Sequence, residues 1–145
     1  MEEIRPILLA EDNPRDIELI EEALAEHNLV NRLVVVHDGV ELLDYLHGRG
    51  ACADTVPPRP VLIILDLYMP RMDGVEALRE IRKHPDFKNV PVVMLTGSNA
   101  STDLQTCYDL GVNAYVVKPV DFHQFVDVVK NLGMFWALLN QPPVA

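Results

Sequence analysis

Five short apolar runs punctuate the chain: Ile7 to Ala10, Leu33 to Val36, Val61 to Leu65, Val92 to Leu95 and Ala114 to Val117. They are rich in branched residues and mostly continuous rather than alternating, the pattern of strands covered on both faces. The intervals between them carry helical spacing, and strand and helix in alternation predict a parallel sheet with helices on both sides, an α/β fold. The first helix is expected to begin near Pro14, with Ile17, Ile20 and Leu24 as its buried stripe and Glu18, Glu21 and Glu22 facing water. A second begins near Asp38-Gly39, where Asp38 can cap free amides, turns Leu42, Leu43 and Leu46 inward, and ends at Gly48 and Gly50. The third runs from about Gly74 to His84 with Val75, Leu78 and Ile81 on one side, until Pro85 stops it. The fourth spans Thr102 to Leu110, with Ser101 as its candidate cap and Gly111 just past its end. The last begins near Asp121 and carries Phe122, Phe125, Val126, Val129 and Leu132.

A length of 145 residues predicts a single domain over 1–145, with a core from about 5 to 132 and a helical extension over about 133–145. The stretch 48–60 contains Pro57, Pro58 and Pro60 and is long for a helix-to-strand connection. It reads either as a recognition element or as a surface insertion stiffened by proline. With 49% apolar residues the composition is that of an ordinary globular protein, and no apolar stretch nears the roughly eighteen residues of a membrane span. Glu2 and Glu3 stand where a signal peptide would need basic residues, so a cytoplasmic location is expected. A formal charge of −10 repels a phosphate backbone and argues against direct nucleic-acid binding. Cys52 and Cys107 form no CxxC pattern and are expected as thiols. The histidines (His27, His37, His47, His84 and His123) lack the paired spacing of a zinc site, which assigns them surface or cap roles.

In open α/β sheets ligands collect at the carboxyl ends of the strands, where the following loops converge. That rim is readable here. Glu11 and Asp12 follow the first strand, Asp66 ends the third, Thr96 ends the fourth, and Lys118-Pro119 follows the fifth. Three gathered carboxylates repel unless a cation neutralises them. An all-oxygen set suits Mg²⁺, with Mn²⁺ as a substitute. Asp66, at the centre, is the candidate nucleophile, since carboxylates form aspartyl phosphates. Lys118 would bind one phosphoryl oxygen and the Thr96 hydroxyl another.

Taken together, the segments Ile7-Leu8-Leu9-Ala10-Glu11-Asp12-Asn13, Leu65-Asp66-Leu67-Tyr68-Met69-Pro70 with Asp73-Gly74, Leu95-Thr96-Gly97 and Val117-Lys118-Pro119 resemble the response-regulator receiver family. The resemblance covers nearly the whole chain. It implies a doubly wound, five-stranded parallel sheet with five helices, flavodoxin-like, in strand order 2-1-3-4-5. It also implies phosphotransfer from a sensor histidine kinase rather than enzymatic turnover of a separate substrate. Carried onto this sequence, Asp66 resembles the phosphoacceptor and Asp12 a direct metal ligand, while Glu11 resembles the acid that holds the ion through water. Tyr68 would lend its backbone carbonyl to the metal. Lys118 is similar to the family's phosphate contact, with a cis bond expected before Pro119. Thr96 is similar to the switch hydroxyl and Tyr115 to the switch aromatic, a role weighed against that of a buried ring with a wet hydroxyl. The Tyr68 side chain, two positions after Asp66, is in a place to restrict water attack on the phosphate.

The prolyl insertion, the Glu-Asp-Asn-Pro start and the Phe-Trp ending are similar to the response regulators that partner bacterial phytochromes. This implies a bacteriophytochrome as phosphodonor. Beyond Leu132 the run Gly133-Met134-Phe135-Trp136-Ala137-Leu138-Leu139 adds apolar groups past the length needed to cover the sheet, so a homodimer through the last helix and Phe135-Trp136 is expected. Two enzymatic readings fit poorly. The first strand lacks a GxGxxG turn and carries acids where a pyrophosphate would sit, and no second acid follows Asp66 by two positions as a phosphatase would need. The remaining rival is a receiver-like scaffold that binds partners without phosphorylation.

Overall fold

Branched apolar runs that expose no polar side chain can satisfy their backbone only by pairing with one another, and here they do so in one sheet. In the computed structural model, which describes residues 5–26, 32–50, 59–97, 100–118, 121, 123–124 and 127, the elements alternate strand and helix. They are β1 (Ile7–Ala10), α1 (Pro14–Glu26), β2 (Leu33–Val36), α2 (Gly39–His47), β3 (Leu62–Asp66), α3 (Gly74–Lys83), β4 (Val92–Thr96), α4 (Ser101–Asp109) and β5 (Ala114–Val117). All neighbouring strands are parallel, in the order β2-β1-β3-β4-β5. This is the expected doubly wound flavodoxin-like sheet. Four helices are described rather than five; most of the fifth, together with Pro119 and the 133–145 extension, lies outside the described residues, as do Cys52 and most of the 48–60 connection.

The alternation of side chains divides the core in two. Leu8, Ile63, Leu65, Val92 and Met94 face α2, α3 and α4, where Leu42, Leu78, Ile81 and Cys107 complete a buried cluster. Ile7, Leu9, Leu62, Ile64, Val93 and Leu95 face the other way, against Ile20 and Leu24 of α1. Burying each large aliphatic chain contributes about 1.5–3 kcal/mol, so the two clusters fix the register of every strand. Ile17 lies at the margin of its cluster, half-buried. Cys107 is a buried free thiol that burial pushes up to about 11, out of reach of ordinary thiolate chemistry.

The caps follow the sequence with one shift. Asp38 accepts from the Glu41 amide, and Gly48 closes α2 in the left-handed region at φ 64°. Asp73 caps α3 in the same way, accepting from the Glu76 amide. Ser101 is the first residue of α4 rather than its cap; Ala100, in extended conformation, takes that position and its carbonyl accepts the Leu104 amide. His84 caps the end of α3 and its Nδ1 accepts the Asp86 amide, while His37 pairs with Glu41. No helix among the described residues is long and apolar enough to cross a membrane.

Candidate phosphoryl-acceptor site

The chain winds outward in both directions from β1 and β3, leaving the crevice at their carboxyl ends as the place where loops part. Glu11 and Asp12 leave β1 there, and Asp66 is the last residue of β3. One carboxylate oxygen from each of the three lies within 4.8 Å of the others, with Glu11 and Asp66 buried and Asp12 exposed. Thr96, fully buried, ends the neighbouring strand, and its carbonyl accepts the Lys118 amide at 2.7 Å.

Lys118 Nζ reaches across the rim to three carboxylates. It donates to Asp16 Oδ2 at 2.7 Å, Glu11 Oε1 at 2.8 Å and Asp66 Oδ2 at 3.2 Å. An ammonium has three N–H donors, so this set occupies all of them. Burial works against the charge of Lys118. The hydrogen bond to Asp16, then those to Glu11 and the charge of Asp66, outweigh it and raise its pKa above the ordinary lysine value. Glu11 is less well served. Burial, then the neighbouring Asp66 carboxylate, push it up to about 8, and Lys118 offsets only part of this. Its second oxygen, Oε2, is buried with no hydrogen-bond partner among the described residues. A buried acid with an orphaned oxygen beside two further carboxylates, with no sulfur or imidazole, fits a hard divalent cation and its waters.

The loop that follows Asp66 is tightly braced. The Gly74 amide donates to the Leu67 carbonyl at 2.7 Å, and a Cβ on Gly74 would run into the Asp66 carbonyl oxygen. Arg71 adopts φ 65°, the left-handed region that costs a branched-free side chain roughly 1 kcal/mol, and is held there by two bonds to Asp38 at 2.7 and 3.2 Å. The Gly39 amide reaches the Met72 carbonyl at 3.2 Å, and a Cβ on Gly39 would lie 2.6 Å from that oxygen. These contacts tie the loop to the start of α2.

Tyr68 lies on this loop with 61% of its surface exposed, and its hydroxyl donates to Asp103 Oδ2 in the first turn of α4 at 2.8 Å. Its backbone amide lies 3.4 Å from Asp66 Oδ1. Tyr115 is half-buried against the cluster that holds Met94. In the β4–β5 register Met94 lies opposite Tyr115 and Thr96 opposite Val117, which makes Thr96 and Tyr115 diagonal neighbours on one face of the sheet.

All seven residues singled out in the sequence therefore lie at this rim or on its neighbouring strand. Three participants were missed. Asp16 makes the shortest contact to Lys118, and Asp38 with Arg71 braces the loop. An acid in the first turn of a helix that opens on the rim was the available signal for Asp16. Asp38 was visible only as a helix cap, because nothing local pairs it with Arg71.

A family model described as the response regulator receiver domain matches residues 7–130. The response regulator Rcp1 of Synechocystis sp. is 37% identical over 130 residues, which cover 90% of this chain and 87% of that protein. The crystal structure of the Mn²⁺-bound form of Rcp1 matches with TM-score 0.78 at 35% identity, covering 97% of this chain and 99% of that one. The bacteriophytochrome response regulator RtBRR matches with TM-score 0.86 at 47% identity, over 97% of this chain and 85% of that one. The crystal structure of the phosphorylated cyanobacterial phytochrome response regulator RcpA matches with TM-score 0.79 at 40% identity, over 98% and 100% respectively.

Proposed function

Because the chain belongs to the response regulator receiver domain family, we propose that it accepts a phosphoryl group on Asp66 from a sensor histidine kinase and signals through protein contacts. The observation that carries this reading is the arrangement of Lys118 Nζ among Asp66 and Glu11 at the crevice of the sheet, with Thr96 ending the adjacent strand. A carboxylate oxygen of Asp66 attacks phosphorus, the phosphorus–nitrogen bond of the donor phosphohistidine breaks, and the electron pair leaves with the imidazole. Lys118 offers a donor to a phosphoryl oxygen and the Thr96 hydroxyl offers a second, interactions that exist only once the group arrives. Asp12, Asp66 and the Tyr68 carbonyl would hold Mg²⁺ or Mn²⁺ directly, with Glu11 acting through water. When bound, the cation offsets the charge that the incoming group adds to the carboxylates.

Tyr115, diagonal to Thr96 on the same face, would act as the switch aromatic when that hydroxyl moves toward the phosphate. The domain is a signalling component, and its only chemistry is the gain of the phosphoryl group and its later loss to water. The donor we assign is a bacteriophytochrome kinase in the cytoplasm, on the strength of the phytochrome response regulators it resembles. The homodimer through the last helix and Phe135-Trp136 is part of the same proposal. A pure scaffold would gain nothing from a buried acid with an orphaned oxygen, which costs stability until an ion satisfies it.

The test is incubation with phosphoramidate and Mg²⁺, read by intact mass. Wild type should gain one phosphoryl group and Asp66→Asn none; labelling of Asp66→Asn equal to wild type refutes the site. Transfer from a bacteriophytochrome kinase no faster than from an unrelated histidine kinase refutes the donor. Solution mass with and without beryllofluoride tests the dimer, which a monomer in both states excludes.

A further inference from the structure

Lys118 carries one contact that the proposed chemistry does not use. Asp16 lies in the first turn of α1, where the Asn13 side-chain oxygen accepts the backbone amides of Arg15 at 2.9 Å and Asp16 at 3.3 Å, fixing the start of the helix. The Asp16 side chain is 15% exposed and that of Lys118 16%, so the pair at 2.7 Å is shielded from most solvent screening. The other two acceptors on Lys118 are Glu11 and Asp66, and both belong to the carboxylate group that fits a divalent cation; Asp16 is not a member of that group.

We propose that Asp16 is a positioning residue for phosphoryl transfer, the acceptor that keeps Lys118 at the rim when Glu11 and Asp66 turn to the cation and the phosphoryl group. The inference rests on the function proposed above. Its logic is a count of donors and acceptors. Phosphorylation converts Asp66 from a free carboxylate into an acyl phosphate, and ion binding draws on the oxygens of Glu11. An ammonium without a third, independent acceptor would lose its orientation or compete with the ion for the same carboxylates. Asp16, attached to a helix start rather than to the metal group, holds one N–H throughout and leaves another free to meet a phosphoryl oxygen.

The experiment compares wild type, Asp16→Asn and Asp16→Glu with two readouts. The first is the rate of phosphorylation by phosphoramidate with Mg²⁺. The second is the ¹H–¹⁵N resonance of the Lys118 ammonium, visible when its protons are hydrogen-bonded and exchange slowly, recorded metal-free and with Mg²⁺ and beryllofluoride. Asp16→Asn should be phosphorylated about tenfold more slowly, as expected for loss of one charge-assisted hydrogen bond. It should also lose the ammonium resonance in the beryllofluoride state, while Asp16→Glu, which keeps a carboxylate, recovers most of both. Phosphorylation of Asp16→Asn at the wild-type rate or faster overturns the proposal, since Asp16 would then be idle or a brake. A slow Asp16→Asn that retains the resonance also overturns it, because the loss would not act through Lys118. Should wild type itself take no phosphoryl group, the proposed function falls, whereas the metal-free resonance still reports on the Asp16 contact.

Discussion

Replacing Glu11 with Gln should stabilise the metal-free protein while removing most of its response to Mg²⁺. Glu11 is fully buried, one of its oxygens has no partner among the described residues, and its pKa stands at about 8 against an ordinary 4.5. At pH 7 the folded protein therefore holds Glu11 mostly protonated, whereas the unfolded chain has released that proton. Folding takes the proton up again, at about 1.36 kcal/mol for each of the roughly 2.5 pH units between 4.5 and 7, or about 3 kcal/mol. Gln reproduces the neutral folded side chain, keeps an oxygen for Lys118 and removes the uptake, so the variant gains about that amount. For a domain of this size that raises Tm by roughly 6–12 °C.

The sign with pH follows from the raised value. Below about 4.5 Glu11 is protonated in both states and the two proteins are alike; as pH climbs from 4.5 toward 8 the wild type alone loses stability, and above 8 the gap stops growing. Thermal unfolding in EDTA from pH 5 to 8.5, repeated in Mg²⁺, measures this. Saturating Mg²⁺ should raise the wild-type midpoint and close the gap, while Glu11→Gln moves little. Equal midpoints at pH 7 in EDTA, or an equal Mg²⁺ response in the two proteins, would refute the electrostatic account of the rim.

Three further substitutions probe what supports the site. Gly74→Ala, a change that in a helix interior ordinarily gains up to about 1 kcal/mol, should instead cost roughly 1–3 kcal/mol in urea unfolding, because its Cβ meets the Asp66 carbonyl; a stabilised variant contradicts the close approach. Asp38→Ala removes both the α2 cap and the Arg71 anchor and should cost about 2 kcal/mol at pH 7. Burial opposes the Asp38 charge, but Arg71 and the cap amides hold its pKa below the usual carboxylate range, so its contribution is full at neutral pH and fades as pH falls through that depressed value; a cost that persists undiminished in acid argues against it. Arg82 donates to the carbonyls of Val90 at 2.7 Å and Gly111 at 2.7 and 3.0 Å and to the Asn113 side chain, so Arg82→Met should cost about 2 kcal/mol with little dependence on salt, and a loss under about 0.5 kcal/mol would make these bonds ornamental.

The strands were legible because a run buried on both faces has no reason to alternate, and Ile7 to Ala10, Leu33 to Val36 and Ala114 to Val117 appear with the expected bounds. Asp66 and Thr96 close β3 and β4 where the sequence puts them, and the one shifted bound is the start of β3, at Leu62 rather than Val61. The acidic rim was legible because topology alone brings the strand ends together. Asp16 was not, since an acid in the first turn of a helix already has a sufficient reason in the helix dipole, and its partner lies 102 residues away. Arg82 was hidden for the same reason, as its acceptors belong to segments up to 31 residues distant.

The rim joins two kinds of support, and the difference bears on how a phosphoryl group can be felt beyond it. The loop after Asp66 is pinned by two backbone bonds, Gly74 to Leu67 and Gly39 to Met72, and by the side-chain pair of a left-handed Arg71 with Asp38. Such contacts have one geometry and resist change. Lys118, by contrast, is held by three side-chain carboxylates, two of which also fit an ion, and Tyr68 reaches α4 through the bond of its hydroxyl to Asp103. On the proposed function, a charge added at Asp66 would meet the braced loop on the α2–α3 side, and its effect would fall on the groups that can exchange partners, on β4, β5 and α4. Loosening the loop, as Asp38→Ala does, should blur that direction, so that beryllofluoride perturbs amide resonances in α2 and α3 as strongly as in α4. Confinement of the response to α4 and β5 in that variant would show that the bracing plays no part in steering it.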